Sequence, residues 1–116
     1  YQIKKYGLPT VEHKLKGWFA ITEPSGGSDP ARAIQTHAKR DGDDWIINGS
    51  KLFISGSPWG NWGIVFARTD PESRRGITAF IVENDWPGLT VEPVPVMRAY
   101  YPGQLFFDDF AFRLER

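Results

Sequence analysis

Hydrophobic residues fall in short runs broken by turn residues, the pattern of β-strands. Gly17 to Ile21 holds the run Trp18-Phe19-Ala20-Ile21, closed by Pro24 and Gly26-Gly27. Its shortness and flanks predict a buried strand rather than a helix. Ala33 to Lys39 alternates Ile34, Thr36 and Ala38 with Gln35 and His37, the period of a half-buried strand. Asp44–Ile47 and Ser50–Ile54 flank Asn48-Gly49, which predicts a hairpin closed by a type I′ turn. Strands are also expected over Trp62–Arg68, Ile77–Glu83, Leu89–Val94 and Leu105–Leu114. Only Thr10–Lys16 reads as faintly helical, with Thr10 as its N-cap. About seven strands at spacings of about ten residues predict an all-β fold, an antiparallel barrel or sandwich with short turns. Residues 1–16 form a short helical or irregular lead-in, and no internal repeat or long linker divides the rest.

Composition narrows this picture. A chain of 116 residues suits one domain. Leu, Ile, Val and Phe make up a quarter of it, enough for a core and too many for a disordered chain. Lys and Arg balance Asp and Glu at 14 each, which argues against a nucleic-acid partner held by a basic field. There is no cysteine, so disulfides, thiolate catalysis and Cys-ligated metals are excluded. No apolar run reaches the roughly 20 residues of a membrane helix, and no signal peptide opens the chain. An intracellular setting without membrane contact is therefore expected. Tyr1 stands where a Met would open a complete chain, so a domain of a longer protein is expected.

Two segments carry candidate chemistry. Thr22-Glu23-Pro24-Ser25-Gly26-Gly27-Ser28-Asp29 pairs adjacent glycines with hydroxyls. Successive N–H groups there can cradle an anion, although a turn satisfying its own backbone is the simpler reading. It is neither a phosphate-binding loop ending in Gly-Lys-Ser/Thr nor a dinucleotide fingerprint. Lys51-Leu52-Phe53-Ile54-Ser55-Gly56 places an aromatic and a hydroxyl at a strand end. Phe53 can stack on a flat ring while Ser55 reaches its edge, or both are ordinary core and turn residues. His13 and His37 lack ligand spacing, so no metal site is expected. Glu23, Asp29 and Glu83 offer carboxylates with no evident pairing, and no serine sits in a nucleophile elbow. Asp108-Asp109 reads as a solvated edge or turn. Five tryptophans keep open a non-catalytic β module that binds sugar or another flat ligand.

The two segments, in this order and about twenty residues apart, resemble the two signature blocks of the acyl-CoA dehydrogenase family. The blocks are Phe19-Ala20-Ile21-Thr22-Glu23-Pro24-Ser25-Gly26-Gly27-Ser28-Asp29 and Trp45-Ile46-Ile47-Asn48-Gly49-Ser50-Lys51-Leu52-Phe53-Ile54-Ser55-Gly56. Ala67-Arg68-Thr69-Asp70, Gly76–Glu83, Pro87-Gly88-Leu89 and Leu105–Asp109 extend the resemblance. It implies that residues 17–116 are the middle β-barrel domain and residues 1–16 the end of the preceding helical domain. It further implies FAD as cofactor and an acyl-CoA thioester as substrate, in α,β-dehydrogenation. Expected partners are the flanking helical domains, an electron-transferring flavoprotein or similar acceptor, and further copies in a homo-oligomer. The expected setting is the bacterial or archaeal cytoplasm or the mitochondrial matrix.

By the same resemblance, backbone and hydroxyl groups of Ile21 and Thr22 hydrogen-bond the flavin ring. Phe53 packs along the ring, with Ile54 beside it, and Ser55 reaches the N5 and O4 edge. Ser28 lies at the diphosphate and thioester tail, contacting cofactor and substrate, and Phe19 lines the cleft. Phe53 stands where the family often has Trp, and Ser55 where it often has Thr. Met97-Arg98-Ala99-Tyr100-Tyr101-Pro102-Gly103 replaces a stretch of Gly and small polar residues near the acyl-CoA. The family's glutamate base lies in the C-terminal helical domain, so no catalytic residue is expected in this chain and the isolated domain is expected to be inactive. A structural module that has lost its chemistry is the remaining alternative.

Overall fold

The computed structural model describes residues 1–97 and 100–114. A π-helical turn, Ile3–Gly7, runs into α1 (Leu8–Val11). Strands follow as β1 (Gly17–Ala20), β2 (His37–Asp41), β3 (Asp44–Ile54), β4 (Trp62–Arg68), β5 (Ile77–Glu83), β6 (Leu89–Pro93) and β7 (Gly103–Arg113). Helix α2 (Pro30–Ala33) precedes β2, and a 3-10 turn, Ser57–Trp59, follows β3.

The expected all-β class holds. One curled sheet runs β1-β4-β2-β3-β7-β6, with β5 paired to β4. Most pairs are antiparallel, as expected, but β1 and β2 each pair parallel with β4. Alternate side chains form one core: Trp18 and Ala20 of β1, Val65 and Ala67 of β4, Phe80 and Val82 of β5, and Leu105, Phe107, Phe110 and Phe112 of β7. Phe80 and Phe112 meet edge to face at 5.6 Å, a favoured arrangement of ring quadrupoles. The expected strands over Trp62–Arg68 and Ile77–Glu83 are those observed.

Four local expectations are corrected. Asn48-Gly49 is not a turn: β3 runs through it without a break. The β2–β3 hairpin turns instead at Gly42-Asp43, between the paired Asp41 and Asp44. Gly42 has φ 62° while Asp43 does not enter positive φ, the requirement of a type II′ turn. This register brings Ala38 opposite Ile47 with both side chains in the core, a pairing that a turn at Asn48 would forfeit. Asp108-Asp109 is solvated, as expected, but lies within β7 rather than at a turn. The two residues stand opposite the single Asn48 as a β-bulge in β7. Asn48 closes it, accepting from Asp109 N at 2.8 Å and donating to Asp109 Oδ1 at 3.0 Å.

The third correction lies at the N-terminus. The helical segment ends at Val11 rather than starting at Thr10, and Thr10 lies inside it, accepting from Trp62 Nε1 at 2.9 Å instead of capping a helix. Tyr6 is the buried anchor of that segment, packed against Trp62 at 5.2 Å and donating to Glu83 Oε1 at 2.7 Å. A single anchor leaves little periodicity to read. The fourth concerns the strand expected from Ala33. Ile34, Thr36 and Ala38 are buried as the alternation requires, but pairing begins at His37. Pro30 starts α2 in the preceding stretch, because its fixed φ suits a first helical turn.

The chain between β1 and β2 leaves and rejoins the same edge of β4. Ala20 pairs with Val65, and His37 pairs with Arg68. Arg68 fastens the return, donating from Nε to Ile34 O at 3.0 Å and from Nη2 to Ala31 O at 2.8 Å. Residues 21–36 are therefore a pinned excursion from the sheet, and they contain the first signature block from Ile21 onward.

Two measurements test this packing. Gly49 has φ 142°, and a Cβ there would stand 2.6 Å from Thr36 Cα. Gly49→Ala is expected to cost about 3 kcal/mol in denaturant unfolding; a loss below about 0.5 kcal/mol would contradict the packing. Burial, then the hydrogen bond and negative charge of Glu83, push the Tyr6 phenol up from 10 to about 12. Because the folded value is the higher one, this contact stabilises fully below pH 10 and is lost as pH rises through about 12. Ultraviolet titration should find one tyrosine ionising near pH 12.

Candidate functional site

The excursion meets β3 through a buried ion pair. Lys51 Nζ lies 2.9 Å from Glu23 Oε2, with the two side chains 0 % and 4 % exposed. The same ammonium donates to Ile21 O at 3.0 Å. Glu23 Oε1 accepts from Gln35 N at 2.6 Å, and Oε2 accepts from Thr36 N at 3.1 Å. One carboxylate thus ties the start of the excursion to its end, and one ammonium ties both to β3. No buried polar side-chain atom is left without a partner among the described residues.

Burial acts on both charges in opposite senses. It pushes the Glu23 carboxyl up, but the donors on Gln35, Thr36 and Lys51 together outweigh it and hold Glu23 below the usual carboxylate range. Burial pulls the Lys51 ammonium below its usual range against the raising effect of Glu23. A buried pair of this kind adds little net stability, because desolvation offsets the attraction. Its contribution is geometric: it allows one arrangement of the two segments.

That arrangement brings the expected residues together from two distant stretches of sequence. Thr22 O accepts from Leu52 N at 2.8 Å, so Thr22 lies beside the second signature segment. Leu52 and Phe53 stand opposite the single Gln104, a second β-bulge, with Phe53 at φ 59°. A bulky residue rarely takes positive φ, and such strain collects at functional sites. The bulge turns the Phe53 ring outward, 54 % exposed. Ser55 follows at the end of β3, also exposed. Ile54 points the other way, into the core, so its backbone alone can serve the site.

The remaining expected residues lie on β1 and on the loop that follows it. Phe19 is 55 % exposed opposite the buried Trp18 and Ala20, with its ring edge-on to Phe66 at 4.9 Å. Ser28 is exposed on the glycine-rich loop. That loop begins as a tight turn, in which Glu23 and Gly26 exchange backbone hydrogen bonds of 3.2 and 3.0 Å. The Gly26 N–H is thereby withdrawn from any anion cradle. A Cβ at Gly27 would stand 2.8 Å from Thr22 Oγ1, so glycine keeps that hydroxyl clear. The hydroxyls of Thr22, Ser28 and Ser55 take no part in hydrogen bonds among the described residues. Free hydroxyls beside an outward aromatic ring suit a flat, polar-edged ring such as a flavin.

Phe53 and Ser55 border a cleft of about 850 Å³. Its other walls include Trp59, Tyr100, Tyr101 and Pro102, with Trp59 and Tyr100 edge to face at 5.8 Å. The unusual Tyr100-Tyr101-Pro102 stretch therefore adjoins the expected site, while Arg98 and Ala99 lie outside the described residues. Lys51 is the residue that sequence reasoning missed. The signal was present, since Ile47, Gly49 and Lys51 share one face by alternation, and an inward lysine requires a carboxylate.

The profile of the acyl-CoA dehydrogenase middle domain matches residues 18–110. A 3-(aryl)acrylate reductase of Clostridium sporogenes is 43% identical over 90 residues, covering 77% of this chain and 24% of that protein. The mitochondrial long-chain specific acyl-CoA dehydrogenase of Mus musculus is 39% identical over 115 residues, covering 93% and 26%. Among solved structures, a glutaryl-CoA dehydrogenase of Mycobacterium smegmatis in complex with FADH2 superposes with a TM-score of 0.88 at 33% identity, covering 97% of this chain and 28% of that one. The chain thus spans about a quarter of the length of the curated relatives it matches. The profile match, the sequence identities and the shared fold establish that this chain belongs to the acyl-CoA dehydrogenase family, as its middle domain.

Proposed function

We propose that this domain presents one face of an FAD and acyl-CoA site in a full-length α,β-dehydrogenase, with residues 17–116 as the domain and 1–16 as the end of a preceding helical one. The observation that carries the reading is the joining of Thr22 to Leu52, which sets Ile21–Thr22 beside Phe53–Ser55. When bound, FAD supplies a two-electron acceptor for oxidation of the Cα–Cβ bond. The chain's own residues bind and orient. Backbone and hydroxyl of Thr22 and the hydroxyl of Ser55 donate to the ring edge, favouring its electron-rich reduced form. Phe53 packs along the ring and excludes water, with Phe19 lining the cleft. Ser28 serves the diphosphate and thioester tail. The proton-abstracting base comes from a helical domain, so the isolated domain is inactive.

The partners that fit this role are the flanking helical domains, further copies of the enzyme, and an electron-transferring flavoprotein or similar acceptor. The bacterial or archaeal cytoplasm and the mitochondrial matrix are the compartments proposed, in keeping with bacterial and mitochondrial relatives. Among the described residues no helix is long and apolar enough to cross a membrane. The aromatic walls at Trp59, Tyr100 and Tyr101 favour an acyl group carrying an aromatic ring, which stacks where a thin chain leaves space.

The test is the full-length enzyme carrying Thr22→Val and Ser55→Ala together. Loss of two ring-edge donors should weaken FAD binding by about tenfold or more, read from the flavin-to-protein absorbance ratio. Unchanged occupancy and turnover would remove these residues from the flavin site.

A further inference from the structure

Lys51 lies behind the site, with no route to solvent or ligand. Its ammonium donates to Ile21 O at 3.0 Å. That carbonyl shares a peptide unit with the Thr22 N–H. Resonance couples the two ends: positive charge on the oxygen side draws electron density from nitrogen and makes the N–H a stronger donor. The Thr22 N–H has no backbone partner among the described residues. It belongs to the pair of residues whose groups are proposed to meet the flavin ring.

We infer that Lys51 is a positioning residue that acts on the flavin through the Ile21–Thr22 peptide, making the Thr22 N–H a charge-reinforced donor that stabilises the reduced ring. The inference rests on the flavin reading above. Glu23 has the complementary role. Its carboxylate, 2.9 Å from the ammonium, holds Lys51 in place and partly cancels its charge. The remaining contacts fit this division. Gln35 N and Thr36 N hold Glu23 from the far side, so the carboxylate stays with Lys51. Lys51 is fully buried, and its charge is therefore felt through a low dielectric rather than screened by water.

The two members of the pair should then move the flavin in opposite directions. Lys51→Met alone leaves Glu23 buried without its counter-ion and risks unfolding, so the variant to use is Glu23→Gln with Lys51→Met, a neutral pair of similar volume. The measurement is the flavin midpoint potential of the full-length enzyme, read by spectroelectrochemistry without substrate. In the double variant the potential should become more negative, and FAD binding should weaken by about tenfold, the effect expected for losing charge assistance from one hydrogen bond. In Glu23→Gln alone the amide oxygen can still accept from Lys51. At a pH low enough to keep the ammonium protonated without the raising effect of Glu23, the unneutralised charge should make the potential more positive. A purely structural pair would loosen the site in both variants and shift both potentials the same way. Parallel shifts, or no shift in either variant, overturn the inference while leaving the flavin site in place. A wild-type enzyme that holds no flavin overturns both this inference and the function it rests on.

Discussion

The site depends on one buried ion pair. Glu23 and Lys51 lie in separate stretches of sequence, and each would be costly to bury alone. Together they satisfy each other and three backbone groups: the carbonyl of Ile21 and the N–H groups of Gln35 and Thr36. The excursion between β1 and β2 is thereby closed on itself and fixed to β3. Everything proposed to touch the cofactor follows from that closure. Thr22 reaches Leu52, Phe53 turns outward on its bulge, and Gly27 leaves the Thr22 hydroxyl clear. Because such a pair adds little stability, its value lies in excluding other arrangements of two polar loops that hydrophobic burial alone would not distinguish.

The sheet supplies the rigid half of the arrangement. β3 and β7 are its longest strands, and both bulges lie on their shared ladder. The first bulge is paid for locally by Asn48, which bonds Asp109 twice. The second has Phe53 at its strained position and opens toward the cleft. One irregularity therefore bends the strand pair, and the other aims a side chain. Arg68, at the end of β4, adds a further anchor by holding the returning excursion at Ala31 and Ile34.

Much of the fold was legible in the sequence, and the parts that were not share a physical cause. β4 and β5 are uninterrupted, largely apolar runs bounded by turn residues, so their limits could be read directly. Asn48-Gly49 misled because its dipeptide preference for a tight turn is real, but strand pairing and core burial on both sides outweighed it. Asp41-Gly42 carries a similar local preference and won because it sets Ala38 against Ile47. The N-terminal helical segment was hidden because it buries little besides Tyr6. At the site, the exposed groups Phe53, Ser55 and Thr22 were readable as chemistry and through family resemblance. The pairing that holds them was not, because nothing along the chain links residue 23 to residue 51. The inward phase of Lys51 was the available clue, and it becomes decisive only once Glu23 is seen to share its burial.

The central claim is that these two segments form one face of a flavin site that oxidises an acyl thioester. The most direct measurement is the anaerobic absorption spectrum of the full-length enzyme, before and after addition of straight-chain and aryl-bearing acyl-CoA thioesters. The account predicts a yellow protein whose flavin band is bleached by a thioester, with the aryl-bearing ones bleaching it at the lowest concentration. A colourless protein that fails to take up added FAD would contradict it.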